Sequence, residues 1–222
     1  MKKGFVFDLD GTLVDSLPGI AEAINRSLKS LGLPTHSPDE VRKMVGRGSR
    51  ELCRSALASG EMMPGDVPDT MVEDLRLRFV EIYHGTWERG TIVYPGIKEM
   101  LAYLAQRGHR IAVLSNKPHE VTVPLVAKML EGIPFSPVMG NAELFPRKPN
   151  PAALLHIAES WGMASQEVVM IGDSAHDGKT ARNAETELVL VGWGYSTRLA
   201  LEAFNAPIAE SAEELGSILT VV

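Results

Sequence analysis

Residues 4–13 read Gly4-Phe5-Val6-Phe7-Asp8-Leu9-Asp10-Gly11-Thr12-Leu13, and this stretch decides the architecture. Gly4 to Leu9 has the length and apolar composition of a short buried strand, with charge gathered at its end. Asp10-Gly11 is a turn signal. A strand apolar on both faces belongs in a parallel sheet covered on both sides. The next segment is not sheet. Between Ser16 and Glu88 there is no convincing strand, and Gly60 to Pro68 reads as a loop between helices. Ile20, Ala23, Ile24, Ser27, Leu28 and Leu31 recur at helical spacing over Pro18–Leu31, with Ser16 as N-cap and Gly32 as stop. Ser37-Pro38 opens a second helix, Gly46-Arg47-Gly48 breaks it, and Ser49–Ala58 resumes. Asp69–Tyr83 is a further helix with Met71, Leu75, Phe79 and Ile82 on one side.

From Ile92 the rhythm changes to alternation. Strands are expected at Arg110–Leu114, Phe135–Met139, Val168–Ile171 and Leu188–Val191, with a weak one starting at Ile208. Helices are expected at Pro95–Gln106, Pro118–Leu130, Pro151–Trp161, Lys179–Ala184 and Glu213–Leu219. Alternating strands and helices specify right-handed crossovers and a parallel sheet. The expected fold is therefore α/β, a doubly wound parallel sheet with a small inserted all-helical domain. The core takes residues 1–15 and 89–222, and the helical insert 16–88. In such sheets ligands bind at the carboxyl ends of the strands.

Charge narrows the partners. The net charge of -6 provides no field for nucleic acid or an anionic membrane, so neither is expected as a partner. Asp8 and Asp10 interrupt the N-terminal apolar run, which argues against a targeting segment. No stretch approaches the ~18 apolar residues of a membrane span. Cys53, the single cysteine, has no internal disulfide partner and reads as a buried hydrophobe in a reducing compartment. A cytoplasmic location is expected. Nothing in the sequence specifies an oligomeric state.

Polar residues collect at the strand ends: Asp8 to Thr12, Ser115-Asn116, Lys148-Pro149, and Gly172-Asp173-Ser174 with Asp177 one turn later. Four carboxylates converging on one region would repel strongly in a low dielectric. A divalent cation and a lysine resolve that conflict, and oxygen-only ligands suit Mg²⁺. Taken singly, each piece has a plainer reading as a turn, an N-cap or a solvated lysine. Their joint occurrence at successive strand ends carries the signal. Gly172 to Thr180 also resembles a phosphate-binding P-loop, but five residues separate its glycines instead of four. Asp173 and Asp177 would repel a bare phosphate there, so Lys179 is expected as a solvated helix residue.

These motifs resemble the haloacid dehalogenase superfamily. Asp8-Leu9-Asp10-Gly11-Thr12-Leu13 is similar to its first motif, and Ser115, Lys148 and Gly172-Asp173-Ser174 with Asp177 to the other three. The helical block resembles that superfamily's small cap. Val14-Asp15-Ser16, Gly46-Arg47-Gly48, Arg54-Ser55-Ala56-Leu57, Asn116-Lys117-Pro118 and Lys148-Pro149-Asn150-Pro151 resemble its phosphoglycolate phosphatase subgroup. The resemblance implies a Mg²⁺-dependent phosphatase of a small phosphate ester, 2-phosphoglycolate foremost, acting through an aspartyl-phosphate. It implies Asp8 as nucleophile, Asp10 as acid and base, and Ser115, Asn116, Lys148 and Thr12 as phosphate-binding groups. It implies Asp8, Asp10, Asp173 and Asp177 as the metal set. Ser115 stands where many relatives carry threonine, and Glu185-Thr186 where a glycine is common. A pyrophosphatase or phosphomutase of the same superfamily shares this core. A dehalogenase would not need Asp10, and a silent phosphate-binding scaffold would not be expected to keep Asp8, Asp10 and Lys148.

The insert carries a basic patch of Arg42, Lys43, Arg47, Arg50 and Arg54, opposed locally by Glu51. Arg47, between two glycines, is the candidate to bind an anionic substrate tail. The plainer reading is a solvated face in which Glu51 pairs with Arg47 and Arg54.

Overall fold

A computed structural model of the chain describes residues 3–58, 63–142 and 144–221. It contains strands β1 (Gly4–Phe7), β2 (Val14–Asp15), β3 (Ile92–Val93), β4 (Arg110–Pro118), β5 (Val138–Asn141), β6 (Val168–Gly172), β7 (Glu187–Val191) and β8 (Ile208–Ala209). Its α-helices are α1 (Leu17–Ser30), α2 (Pro38–Met44), α3 (Ser49–Leu57), α4 (Asp69–Thr86) and α5 (Ile97–Gln106). They continue with α6 (His119–Met129), α7 (Ala152–Ser160), α8 (Ala175–Ala184), α9 (Arg198–Glu202) and α10 (Ala212–Val221). The chain divides into two compact units, Met1–Asp15 with Val93–Val222, and Ser16–Ile92. Among the described residues no helix is long and apolar enough to cross a membrane.

The first unit is an α/β fold built on a six-stranded sheet in the order β5-β4-β1-β6-β7-β8. Every adjacent pair runs parallel. β1 lies between β4 and β6, with Phe7 in register with Val113 and Ile171. Its Phe5, Val6 and Phe7 are fully enclosed, which is why the strand reads as unbroken hydrophobicity. Val6, Ala112, Leu114, Val168 and Met170 pack with Leu154, Ile157, Ala158, Ala181 and Ala184 of α7 and α8. Phe5 and Phe7 turn to the opposite face of the pleat and are equally buried.

The second unit is helical. α1 buries Ile20, Ala23, Ile24, Ser27 and Leu28, the stripe expected from periodicity. Ser16 occupies the N-cap position of α1, yet its side chain makes no capping bond. α2 is capped instead by reciprocal bonds between Ser37 and Glu40. α4 buries Val72, Leu75, Phe79 and Tyr83, so its inner stripe is rotated from the expected one and Met71 faces solvent. Gly90 meets Gly19 so closely that a Cβ on Gly90 would lie 2.3 Å from the Gly19 Cα.

Local expectations shift in four places. The strand expected at Phe135–Met139 is β5 at Val138–Asn141. Phe135 is tied into a tight turn through its N–H to the Ile133 carbonyl, and Pro137 has no N–H to give the ladder. α8 starts at Ala175, four residues before the expected Lys179, because Asp177 reaches back to the Ser174 N–H and initiates the turn. α9 was not expected. It is five residues long, too short for a periodic signal, and starts where the Thr197 hydroxyl accepts the Ala200 N–H. Glu185, where a glycine is usual, takes the left-handed conformation at φ 56° and closes α8.

Candidate active site

The carboxyl ends of β1, β4 and β6 lie side by side because these strands are neighbours. Asp8 extends the β1–β6 ladder by one bond, its N–H donating to the Ile171 carbonyl at 2.8 Å. The chain then folds into a tight loop, with the Leu13 and Val14 N–H groups both donating to the Leu9 carbonyl. Gly11 makes that loop possible. Its φ is +83°, and a Cβ there would lie 2.3 Å from Asp173 Oδ2. The loop is secured from β7's side by the Trp193 indole, which donates to the Thr12 carbonyl at 3.2 Å.

Lys148 is placed by Asn116. The Asn116 side-chain amide donates to the Lys148 carbonyl at 3.1 Å and accepts the Lys148 N–H at 2.9 Å. The ammonium then reaches Asp8 Oδ1 at 2.9 Å and Asp177 Oδ1 at 2.6 Å. Asp177 spends its other oxygen on the N–H and hydroxyl of Ser174. Asp173 Oδ2 accepts the Tyr195 N–H at 2.7 Å. Oxygens of Asp8, Asp173 and Asp177, all buried, lie within 4.8 Å of one another.

That density of charge shifts the ionisation of the groups within it. Burial pushes the Asp8 carboxyl up to about 7, with Asp177 adding to the rise and Lys148 opposing it. Burial, then Asp177 and Asp8, push Asp173 well above the usual carboxylate range. Burial opposes the Lys148 charge, but Asp177 and Asp8 more than offset this and hold it protonated. One ammonium is set against three buried carboxylates, so the cluster favours added positive charge. A hard, all-oxygen donor set of this kind fits a divalent cation such as Mg²⁺.

Asp8, Asp10, Thr12, Ser115, Asn116, Lys148, Asp173 and Asp177 all belong to the first unit. Ser115 lies inside β4, not at a helix start, and its hydroxyl accepts the Lys117 N–H at 3.3 Å. Thr12 is fully buried, with its carbonyl taken by Trp193. Arg47 belongs to the second unit, exposed in the turn between α2 and α3. Its neighbours depart from the reading in which Glu51 alone opposes the patch. Asp69 meets Arg54 at 2.5 Å and Arg50 at 3.1 Å, and Glu73 meets Arg50 at 3.6 Å, while Glu51 stands 3.7 Å from Arg54. Lys179 is exposed, as its solvated reading requires. Cys53 is buried, and burial raises its thiol to about 12.

Two features were not assigned from sequence. Lys117 extends its ammonium to both oxygens of Asp10, at 3.0 and 3.1 Å. The available signal was a lysine at the end of an apolar strand, a type rarely buried without a partner. Tyr195 joins Asp173, through its N–H, to Asp15, which accepts its hydroxyl at 3.0 Å. No local pattern marks that link.

A family profile for haloacid dehalogenase-like hydrolases matches residues 5–191. A phosphoglycolate phosphatase of Pseudomonas putida is 37% identical over 198 residues, covering 89% of this chain and 72% of that protein. One from Rhodospirillum rubrum is 37% identical over 197 residues, covering 88% and 82%. The solved structure of a predicted phosphoglycolate phosphatase from Haemophilus somnus is similar with a TM-score of 0.89 at 28% identity, covering 98% of each chain. The chain belongs to the haloacid dehalogenase-like hydrolase family. Within that family its likeness is to phosphatases, and it is an enzyme of that kind, acting on small phosphate esters.

Proposed function

We propose that the chain is a Mg²⁺-dependent phosphatase whose substrate is 2-phosphoglycolate and which works through an aspartyl-phosphate on Asp8. The observation that carries the mechanism is Lys148 shared between Asp8 and Asp177, with Asp173 completing a buried carboxylate cluster. The similarity to the phosphoglycolate phosphatases of Pseudomonas putida and Rhodospirillum rubrum supports the substrate.

In this reading a carboxylate oxygen of Asp8 forms a bond to phosphorus as the ester P–O bond breaks. Asp10 gives its proton to the departing oxygen. Water then attacks phosphorus, Asp10 takes the water's proton, and the Asp8–phosphorus bond breaks to release phosphate. Ser115 and the main-chain N–H of Asn116 bind the phosphoryl oxygens, and Lys148 balances their charge. Asp8, Asp173 and the Asp10 carbonyl would hold Mg²⁺. Asp177, whose oxygens are engaged by Lys148 and Ser174, would orient its waters. When bound, the ion supplies Lewis-acid polarisation of the phosphoryl group.

Phosphate release from a panel of phosphate esters, with Mg²⁺ and with EDTA, tests this directly. Turnover of 2-phosphoglycolate well above the other esters, lost in EDTA, is expected. Undiminished turnover in EDTA would remove the metal, and indifference to the ester would remove the substrate.

A second expectation concerns the loop that holds Asp173. A Cβ on Gly194 would sit 2.3 Å from the Asp173 Cβ and 2.6 Å from the Gly11 carbonyl oxygen. Gly194→Ala must therefore displace the carboxylate or the loop before it. Loss of such support typically costs about 10–100-fold in metal affinity. Calorimetric titration with Mg²⁺ reads the change, and an unaltered affinity would show that the loop does not set the Asp173 position.

A further inference from the structure

We infer that Lys117 is the positioning residue for the acid–base carboxyl of Asp10, an inference that rests on the acid–base reading of Asp10 given above. Two buried lysines serve this site, and the structure separates their duties. Lys148 meets Asp8 and Asp177. Lys117 meets Asp10, with both oxygens within 3.1 Å of its Nζ. The side chains of Lys117 and Asp10 are 4% and 12% exposed, so this is not a solvated surface pair of little consequence.

The lysine is itself held. Its N–H donates to the Ser115 hydroxyl at 3.3 Å, and its carbonyl accepts the Thr122 hydroxyl at 3.2 Å. Pro118 follows and restricts its backbone to extended conformations. Gly140 presses on the same carbonyl, where a Cβ would lie 2.7 Å from the Lys117 oxygen. β4 and β1 are adjacent strands, so a lysine fixed at the end of one reaches a carboxylate just past the end of the other. With both oxygens directed at one ammonium, the carboxyl plane of Asp10 has a defined orientation. Proton transfer needs the carboxyl oxygen within hydrogen-bond reach of the leaving oxygen, and a 1 Å displacement can cost about 10²-fold. Lys117 does not touch phosphorus in this account. It acts through Asp10.

The reading separates leaving groups. An alkyl ester such as 2-phosphoglycolate needs a proton on its departing oxygen, whereas p-nitrophenolate departs without one. Lys117→Met is expected to lower kcat/KM for 2-phosphoglycolate by about 10–100-fold. The loss on p-nitrophenyl phosphate should stay under about threefold, because general-acid help contributes little there. Lys117→Arg, which keeps the charge, should restore most of the alkyl-ester rate. Combined with Asp10→Asn, Lys117→Met should add little further loss, since both act through one group. Equal losses on both esters would make Lys117 a structural residue and overturn the inference. Full additivity with Asp10→Asn would overturn it as well. Should Lys117→Met fail to fold, Lys117→Gln is read by the same ratio: a loss confined to the alkyl ester supports the inference, and equal losses on both esters overturn it. Asp10→Asn alone separates the two readings. If it spares the alkyl ester, the acid–base role of Asp10 falls. If it does not and Lys117→Met does, only the role of Lys117 falls.

Discussion

Asp8→Asn should abolish turnover and at the same time make the metal-free protein more stable at pH 8. The first effect follows from removing the nucleophile. Loss of a nucleophile in a covalent mechanism costs on the order of 10⁵–10⁶-fold in kcat. The second follows from where the charge sits. Asp8 is buried beside Asp177, and burial lifts its carboxyl to about 7. A carboxyl raised in the folded state binds its proton more tightly there than in the unfolded chain. Its stabilising contribution is therefore complete below the ordinary carboxylate range near 3.8 and is lost as pH climbs to about 7. At pH 8 the wild-type protein holds an ionised Asp8 at a cost of a few kcal/mol, and asparagine removes that cost while keeping the shape. Lys148 retains Asp177 as a partner. Thermal unfolding in EDTA at pH 5 and pH 8 is the measurement, with the variant's gain in Tm larger at the higher pH. Substantial residual turnover would end the nucleophile assignment. A Tm no higher than wild type at pH 8 would contradict the charge account.

Lys148→Met should do the reverse to stability. It removes the ammonium that lies 2.9 Å from Asp8 and 2.6 Å from Asp177, leaving three carboxylates in a buried cluster. Breaking a buried pair by deleting one partner typically costs about 3–5 kcal/mol. Here the remaining charges repel one another as well, so the upper part of that range is expected in EDTA. Mg²⁺ should recover part of the loss by replacing the missing positive charge, which separates an electrostatic cause from a packing defect. Turnover should fall at least about 10²–10³-fold, because a fixed cation near the transferred group is lost. Urea unfolding with and without Mg²⁺ reads the first effect. Unchanged stability in EDTA would mean that the cluster does not depend on Lys148.

Both experiments concern residues that are legible in the sequence. β1 can be read because its end is local: an apolar run stops at Asp8, and Asp10-Gly11 turns the chain. Asp173 and Asp177 can be read for a similar reason. They flank the start of a helix, where spacing along the chain fixes spacing in three dimensions. The alternation of strands and helices after Ile92 is enough for the parallel sheet, since parallel strands require crossovers. Periodicity is weaker where elements are short or bounded by special geometry. α9 has five residues, and β5 begins only after Pro137.

The pairings themselves belong to tertiary structure. Lys117 and Asp10 are separated by 107 positions, and nothing local to either residue points to the other. They meet because β4 lies beside β1 in the order β5-β4-β1-β6-β7-β8. Arg50 and Arg54 looked like a basic patch because their partners Asp69 and Glu73 stand on a different helix. Tyr195 reaches Asp173 and Asp15 from the loop after β7. Residue type and local spacing therefore determined which groups could do chemistry and at which element ends they stand. Strand order and helix packing decided which charge faces which, because electrostatic partners are chosen by distance through space, and that distance is set only when the sheet closes around its core.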